Sequence, residues 1–358
     1  MADIKQRQSN IELLRLVAMF LIVFTHTNFF SLGRPKIAAY NEEPFWITMR
    51  FGLQSFTYIG VNLFILISGY FSIKPKFRAV CAFLFQILFF SLAILGIIFL
   101  VGLVIDHPLV KWKYLGDAFL ILTRFNWFIP SYLILMLFAP MINSFCQNST
   151  RFELGTFIIL LFAASSYLGW SERYCKEFND GYSFVSLILL YVIGRFLRLH
   201  QCWLTNRSWK VDASHFVIYV VVNTAIALWR MNNPYKMSLF ALNNPIQLYG
   251  AVCFFLFFTK IKLQSNVINT LAKGTFGIFL LQMHPQVIPH FRKLIQYLNS
   301  NMQHGLFVAT LFVVVLIFCV LGIVADKPRQ WLWNKVDVPL MNFYERIKAK
   351  ASSYPLFR

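Results

Sequence analysis

The sequence predicts an all-α fold, a polytopic membrane helix bundle, and three observations carry that prediction. Hydrophobic residues make up 58% of the 358-residue chain and charged residues only 13%. A water-soluble domain of this length carries about 25% charged residues. The apolar residues also fall in blocks of roughly 18 to 25, the length a helix needs to cross about 30 Å of hydrocarbon at about 1.5 Å per residue.

Apolar windows place ten spans, at 11–30, 52–72, 79–104, 128–146, 153–170, 184–199, 214–231, 239–258, 267–283 and 306–325. The first follows a basic start, as a cleaved signal would. Thr25, His26, Thr27, Asn28, Phe29 and Phe30 are bulky where a cleavage site needs small residues, so this stretch is expected to stay as a span. The longest polar segments are 31–51, 105–127 and the tail, too short for a soluble domain. Residues 1–325 therefore form one ten-span membrane domain. The tail, 326–358, mixes Trp331, Trp333, Phe343 and Tyr344 with Lys and Arg, a composition that suits an interfacial helix.

An even number of spans puts both termini on one side. With the amino terminus inside, the inner segments hold Lys5 and Arg7, then Lys74, Lys76 and Arg78, then Arg151, Arg195, Arg198, Arg207 and Lys210, then Lys260, Lys262, Lys273 and the basic tail. That asymmetry predicts cytoplasmic termini. It also accounts for the net charge of +19 through contact with anionic lipid, so nucleic acid is not expected as a partner. The cysteines Cys81, Cys146, Cys175, Cys202, Cys253 and Cys319 form no CxxC pair and mostly lie in apolar spans, so neither a metal site nor a disulfide framework is predicted.

Ionisable groups inside a span cost about 2.5–3.5 kcal/mol each on insertion scales, which makes them functional candidates. The first span holds Glu12, Arg15 and His26. Eleven steps of about 100° return His26 to within about 20° of Arg15, so both face one cavity, about 16 Å apart along the axis. Glu12 and Arg15, at i and i+3, can pair at the inner end. Snorkelling of Glu12 and Arg15 to the interface, with His26 a satisfied polar residue near the outer surface, is the bland alternative that spacing leaves open.

The pattern resembles the acyltransferase-3 family of integral membrane acyltransferases. Arg15 and His26 reproduce its Arg-x10-His signature, and Glu12 holds the acidic position before it. Gly60 to Phe71, ending Ser68-Gly69-Tyr70-Phe71, is similar to the family's second-span motif. Asn126-Trp127 through Tyr132, closed by Pro140 and Asn143, resembles its fourth-span start, and Gly181-Tyr182-Ser183 with Tyr191, Gly194 and Arg195 resembles a later span. Asn244-Pro245, Phe254 to Phe258 and Phe276 to Leu281 resemble the closing spans, so the likeness covers most of 9–325. Two departures stand out. Gln282 replaces a frequent family His, with His284 two residues on, and the basic cluster reads Lys74-Pro75-Lys76-Phe77-Arg78.

The resemblance implies a bacterial inner-membrane O-acyltransferase, most simply an O-acetyltransferase, moving an acyl group from acetyl-CoA or another acyl-CoA to a hydroxyl of a lipid-linked or surface carbohydrate. Succinyl is the alternative acyl group. The residues fit such chemistry: His26 is the expected base, since imidazole titrates near neutrality, with Arg15 and Glu12 on its face. Arg15, Lys74, Lys76 and Arg78 are the expected phosphate contacts. Trp127 and Tyr132, which flank Pro130 beside Arg124, are expected on the acceptor side together with Ser68 and His284. For Ser68 helix packing with Gly69 is the favoured reading. A glycolipid transporter or flippase using Arg15 and His26 is the rival from another class, weakened by the lack of an internal repeat.

The charge asymmetry makes a direct prediction. Cysteines introduced at the amino terminus, at 74–78 or after Asp326 should be shielded from impermeant thiol reagents in intact cells, whereas one placed at Glu42 should label. Labelling of the tail from outside would overturn this orientation.

Overall fold

The computed structural model describes residues 7–74, 76–107, 109–110, 126–171, 177–232 and 238–351. Lys5, Pro75, Arg124, Cys175 and the last seven residues of the tail lie outside them. Every regular element among the described residues is helical.

Helix α1 (Ser9–Thr27) is followed by the short α2 (Phe29–Leu32) and α3 (Ile37–Glu42). Next come α4 (Pro44–Thr57) and α5 (Gly60–Phe71), two segments of one 28-residue apolar stretch that starts earlier than hydropathy predicts. The early start has a cause in Pro44 at the first helical turn, and Trp46, Ile47 and Arg50 are buried behind it. Then follow α6 (Phe77–Val104), α7 (Phe128–Asn148) and α8 (Arg151–Ala164), which runs on as a π-helical turn over Ser165–Ser171. Asn126 caps α7 by accepting from the Phe128 N–H at 3.0 Å, and Thr150 with Glu153 forms a capping box on α8.

The second half holds α9 (Phe184–Leu199), α10 (Trp203–Asn206), α11 (Trp209–Asn232), α12 (Pro245–Thr259), α13 (Asn266–Leu271), α14 (Thr275–Gln282), α15 (Ile288–Asn301) and α16 (His304–Ala351). Among the described residues seven helical stretches are long and apolar enough to cross a membrane, against the ten windows read from hydropathy. The windows at 184–199, 239–258 and 267–283 correspond to the shorter α9, α12 and the α13–α14 pair. A 3₁₀ turn at Ala272–Gly274 divides that last pair where a Cβ on Gly274 would lie 3.1 Å from the Ile323 Cα.

Among the described residues the tail continues α16 as far as Ala351, through Pro328 and Pro339, and its polar residues are tied to the bundle. Asp326, fully buried, accepts from Arg329 at 2.6 and 2.8 Å, from Gln86 of α6 at 2.8 Å and from Gln330 at 2.7 Å. Asp337 pairs with Arg78 at the start of α6. By contrast α15 lies in a stretch that hydropathy left blank, and it buries Phe291, Ile295 and Leu298 on one face.

Helix α1 runs through the middle of the bundle, with Ile11, Leu14, Ala18, Leu21 and Val23 buried. Small residues let its neighbours close in. A Cβ on Gly60 of α5 would come 2.9 Å from the Ala18 carbonyl oxygen. Where α5 crosses α9 the backbones are closer still: a Cβ would lie 2.1 Å from the Tyr191 oxygen at Gly69 and 2.4 Å from the Leu66 oxygen at Gly194.

The basic segments gather at one end. Ser9 exchanges hydrogen bonds with Ser265 at 3.0 and 3.3 Å, and Asn10 donates to the Phe258 carbonyl at 3.0 Å. Lys260 donates to the Leu204 carbonyl at 3.2 Å and pairs with Asp212, which also pairs with Arg207. Asn143 and Tyr191 hold Ile73, beside Lys74, through bonds of 2.9 Å each. His26, Arg34 and Trp127 lie together at the other end, around a cavity.

The α5–α9 crossing should be intolerant of added volume. Gly69→Ala and Gly194→Ala are each expected to cost about 1–3 kcal/mol through overpacking, read as a lower Tm of the purified protein in detergent. Gly96→Ala, whose Cβ meets open space in α6, should not lower Tm.

Candidate active site

His26 sits at the last turn of α1 because eleven helical residues carry the face of Arg15 round to it. The residues between them on that face are Met19 and Ile22. His26, Ile22 and Met19 all line a cavity of about 530 Å³, which therefore begins one turn above Arg15. Aromatic side chains form much of its wall, among them Phe64, Trp127, Phe128, Tyr182 and Phe240. The Trp127 and Tyr182 rings meet edge to face at 4.9 Å, and the Tyr58 and Tyr182 hydroxyls are hydrogen-bonded to each other.

Polar groups are set into this apolar wall. His26 Nδ1 and Gln282 Oε1 are 2.8 Å apart, which joins the end of α14 to the end of α1. Gln54 and Thr25 line the cavity, and the Gln54 Oε1 and Thr25 Oγ1 atoms are buried without a partner among the described residues. Arg34 stands at the rim on a turn whose Gly33 has φ +78°. Arg50 holds that turn from below, donating to the Gly33 carbonyl at 2.7 Å and to Asn28 Oδ1 at 3.1 Å. Partial burial lowers the pKa of Arg34. None of the described lining residues is acidic.

At the other end of the face, Arg15 donates to Glu12 at 3.0 Å, and Glu12 also lies 3.8 Å from Arg7. Glu12 is buried and the Arg15 side chain is part-exposed. Tyr132 lies within electrostatic reach of Arg15 and 3.2 Å from Ser68, whose hydroxyl also donates to the Phe64 carbonyl at 3.0 Å. The Tyr132 ring stacks on Phe128 at 5.5 Å and meets Phe64 at 6.0 Å, both lining the cavity. Tyr132 thus links Ser68 to the cavity wall.

The family comparison bears on this geometry. The sequence matches the acyltransferase-3 family, described as an acyltransferase domain, over residues 8–324. The chain belongs to the acyltransferase-3 family. No curated protein and no solved structure is found to match it. With the apolar helices, membership makes this an integral membrane acyltransferase.

Within this acyltransferase the candidate residues fall into two groups. His26 and Trp127 share the cavity, while Glu12, Arg15, Tyr132 and Ser68 lie below it. Lys74 and Lys76 are exposed at the basic end, and Arg78 is engaged with Asp337. His284 is buried in the turn after α14, where its Nδ1 accepts from the Gln286 N–H at 3.2 Å. Burial pushes its imidazole down to about 4, against a smaller opposing effect from the Ser91 backbone. It is Gln282, at the position of the frequent family His, that touches His26.

Sequence reasoning did not single out Gln54, Tyr58 or Arg34. Gln54, on α4, and Tyr58, just after it, precede the Gly60 motif, and nothing in their local spacing marks them as cavity residues. Tyr182 carried a signal, since it is the middle residue of the Gly181-Tyr182-Ser183 motif.

Proposed function

We propose that the chain O-acetylates a carbohydrate, using acetyl-CoA delivered from the basic end and His26 as general base in the cavity. The observation that carries this reading is the position of His26, in the wall of an aromatic cavity and eleven helical residues from a part-exposed arginine. Aromatic faces such as Trp127 suit the apolar faces of a sugar ring, and the unpartnered Gln54 and Thr25 oxygens suit its hydroxyls. The concentration of basic segments at the opposite end supports an approach of the anionic donor there, and by charge asymmetry that end is the cytoplasmic one.

The acceptor hydroxyl oxygen attacks the thioester carbonyl carbon while His26 takes the hydroxyl proton. The carbon–sulfur bond then breaks as the carbon–oxygen bond is completed, and the imidazolium returns its proton to the departing thiolate. Arg15, with Lys74 and Lys76, would meet the phosphates of the donor, and Glu12 keeps the Arg15 guanidinium in place. Arg78 would join them only by loosening its pair with Asp337. The separation of about 16 Å between Arg15 and His26 along the axis is of the order of a pantetheine arm. The acceptor would be a lipid-linked or surface glycan of a bacterial inner membrane.

The test is transfer of labelled acetyl from acetyl-CoA into glycan by purified protein in liposomes, with succinyl-CoA as the alternative donor. His26→Ala and His26→Gln should insert normally, bind donor nearly as well as the parent, and lose at least about 10²-fold in rate, as expected for a general base. Retention of more than a tenth of the parent rate by His26→Gln would remove His26 from that role.

The donor end makes a separate prediction. Neutralising Arg15 or the Lys74 and Lys76 pair should raise the KM for acetyl-CoA more than it lowers kcat. Arg15→Lys should not restore it fully, because an ammonium lacks the planar fork. An unchanged donor KM in all these folded variants would sink the assignment.

A further inference from the structure

The bond between α1 and α14 has a consequence for proton transfer. Neutral imidazole carries one N–H, and the bond made by one ring nitrogen decides which nitrogen carries it. His26 Nδ1 faces Gln282 Oε1 at 2.8 Å, and an amide oxygen can only accept. With the Gln282 oxygen facing it, a neutral His26 would donate from Nδ1 and keep its lone pair on Nε2. Gln282 is fully buried, and its own Nε2 has no partner among the described residues. Among the described residues no other group is hydrogen-bonded to that carbonyl.

We infer that Gln282 is a positioning residue that fixes His26 in the Nδ1-protonated tautomer, so that Nε2 is the atom that receives the acceptor proton. The inference rests on His26 being the base. It explains how this chain works with an uncharged side chain at Gln282. An amide cannot exchange protons with His26, so the imidazole must return its proton to the thiolate without a second titrating group behind it. The ionisable neighbours around the ring are Arg34 at the cavity rim, Tyr58 and Tyr182 in the wall, and Arg292 of α15, which lies over Phe30 at 5.2 Å, with Phe30 itself 5.1 Å from the His26 ring. No carboxylate is among them, so hydrogen bonding by Gln282 is left to set the tautomer.

Gln282→Leu removes the acceptor at similar volume and should lower kcat about 10- to 100-fold, the usual effect of losing an outer hydrogen-bond partner, with both KM values within about twofold. Gln282→Glu keeps an oxygen that accepts from Nδ1 and should retain at least about a third of the parent kcat at its own optimum. Its acidic limb should move to higher pH, because a carboxylate favours the imidazolium. Independently of activity, ¹⁵N-histidine spectra of the protein in lipid, with the His26 signal assigned by its loss in His26→Gln, should show a protonated Nδ1 and an unprotonated Nε2. The reverse tautomer would overturn the inference, as would a Gln282→Leu protein that folds and keeps more than half of the parent kcat. So would a folded Gln282→Glu protein no more active than the leucine variant. Loss in Gln282→Leu without loss in His26→Gln would instead overturn the assignment of His26 as base.

Discussion

The bundle is organised around one constraint: helix α1 carries three ionisable side chains, and each must be satisfied out of contact with lipid. An unsatisfied polar group in hydrocarbon costs several kcal/mol, so partners are built in at both ends. Glu12 neutralises Arg15 within the helix and is approached by Arg7 as well. His26 is met by Gln282, which requires α14 to end against the last turn of α1. That requirement fixes the depth at which α14 stops, and it explains why the short α14 is so heavily buried, with Thr275, Gly277, Ile278 and Gln282 all inside. Asp326 extends the same logic to α16, since Gln86 and Arg329 saturate its carboxylate where α6 and α16 meet.

Close helix approach supplies the rigidity that such pairing needs. A hydrogen bond near 2.8 Å between two helices can hold the His26 ring in one place only if the backbones cannot slide past one another. At Gly60, Gly69 and Gly194 they are locked at contact distance. Gly60 sets α5 against α1 beside Ile22, and α5 in turn brings Val61 and Phe64 to the cavity. Packing without a hydrophobic driving force depends on such van der Waals fit. The same glycines therefore serve stability and the shape of the cavity together.

Much of this was legible in the sequence because it depends on local periodicity. The helical class followed from composition, and the common face of Arg15 and His26 followed from their spacing. The pairing of Glu12 with Arg15 is likewise an i, i+3 contact. What could not be read are contacts between distant segments. Gln282 lies 256 positions from His26, and Tyr182 lies 124 from Tyr58. Hydropathy also overstated the regularity of the closing spans, since a window averages over the break at Ala272–Gly274. In the tail it missed that Trp333 is buried against Phe85 and that Asp337 engages Arg78, contacts that keep α16 on the bundle.

The two ends of α1 differ in a way that gives the molecule direction. At one end a part-exposed arginine stands among basic loops, open to water and to anions. At the other a half-buried imidazole with a neutral partner faces an aromatic cavity. A guanidinium keeps its charge in either setting, so it suits the end proposed to hold a polyanion. An imidazole acting as the proposed base must gain and lose a proton in each turnover, and a fixed negative charge beside it would favour the protonated form. Placing an amide at Gln282 and no carboxylate among the described cavity residues avoids that. On the proposed reading, separation along one helix lets a single element hold the donor and move the proton without either task disturbing the other. The rigid rise of α1 would then set the distance between the two.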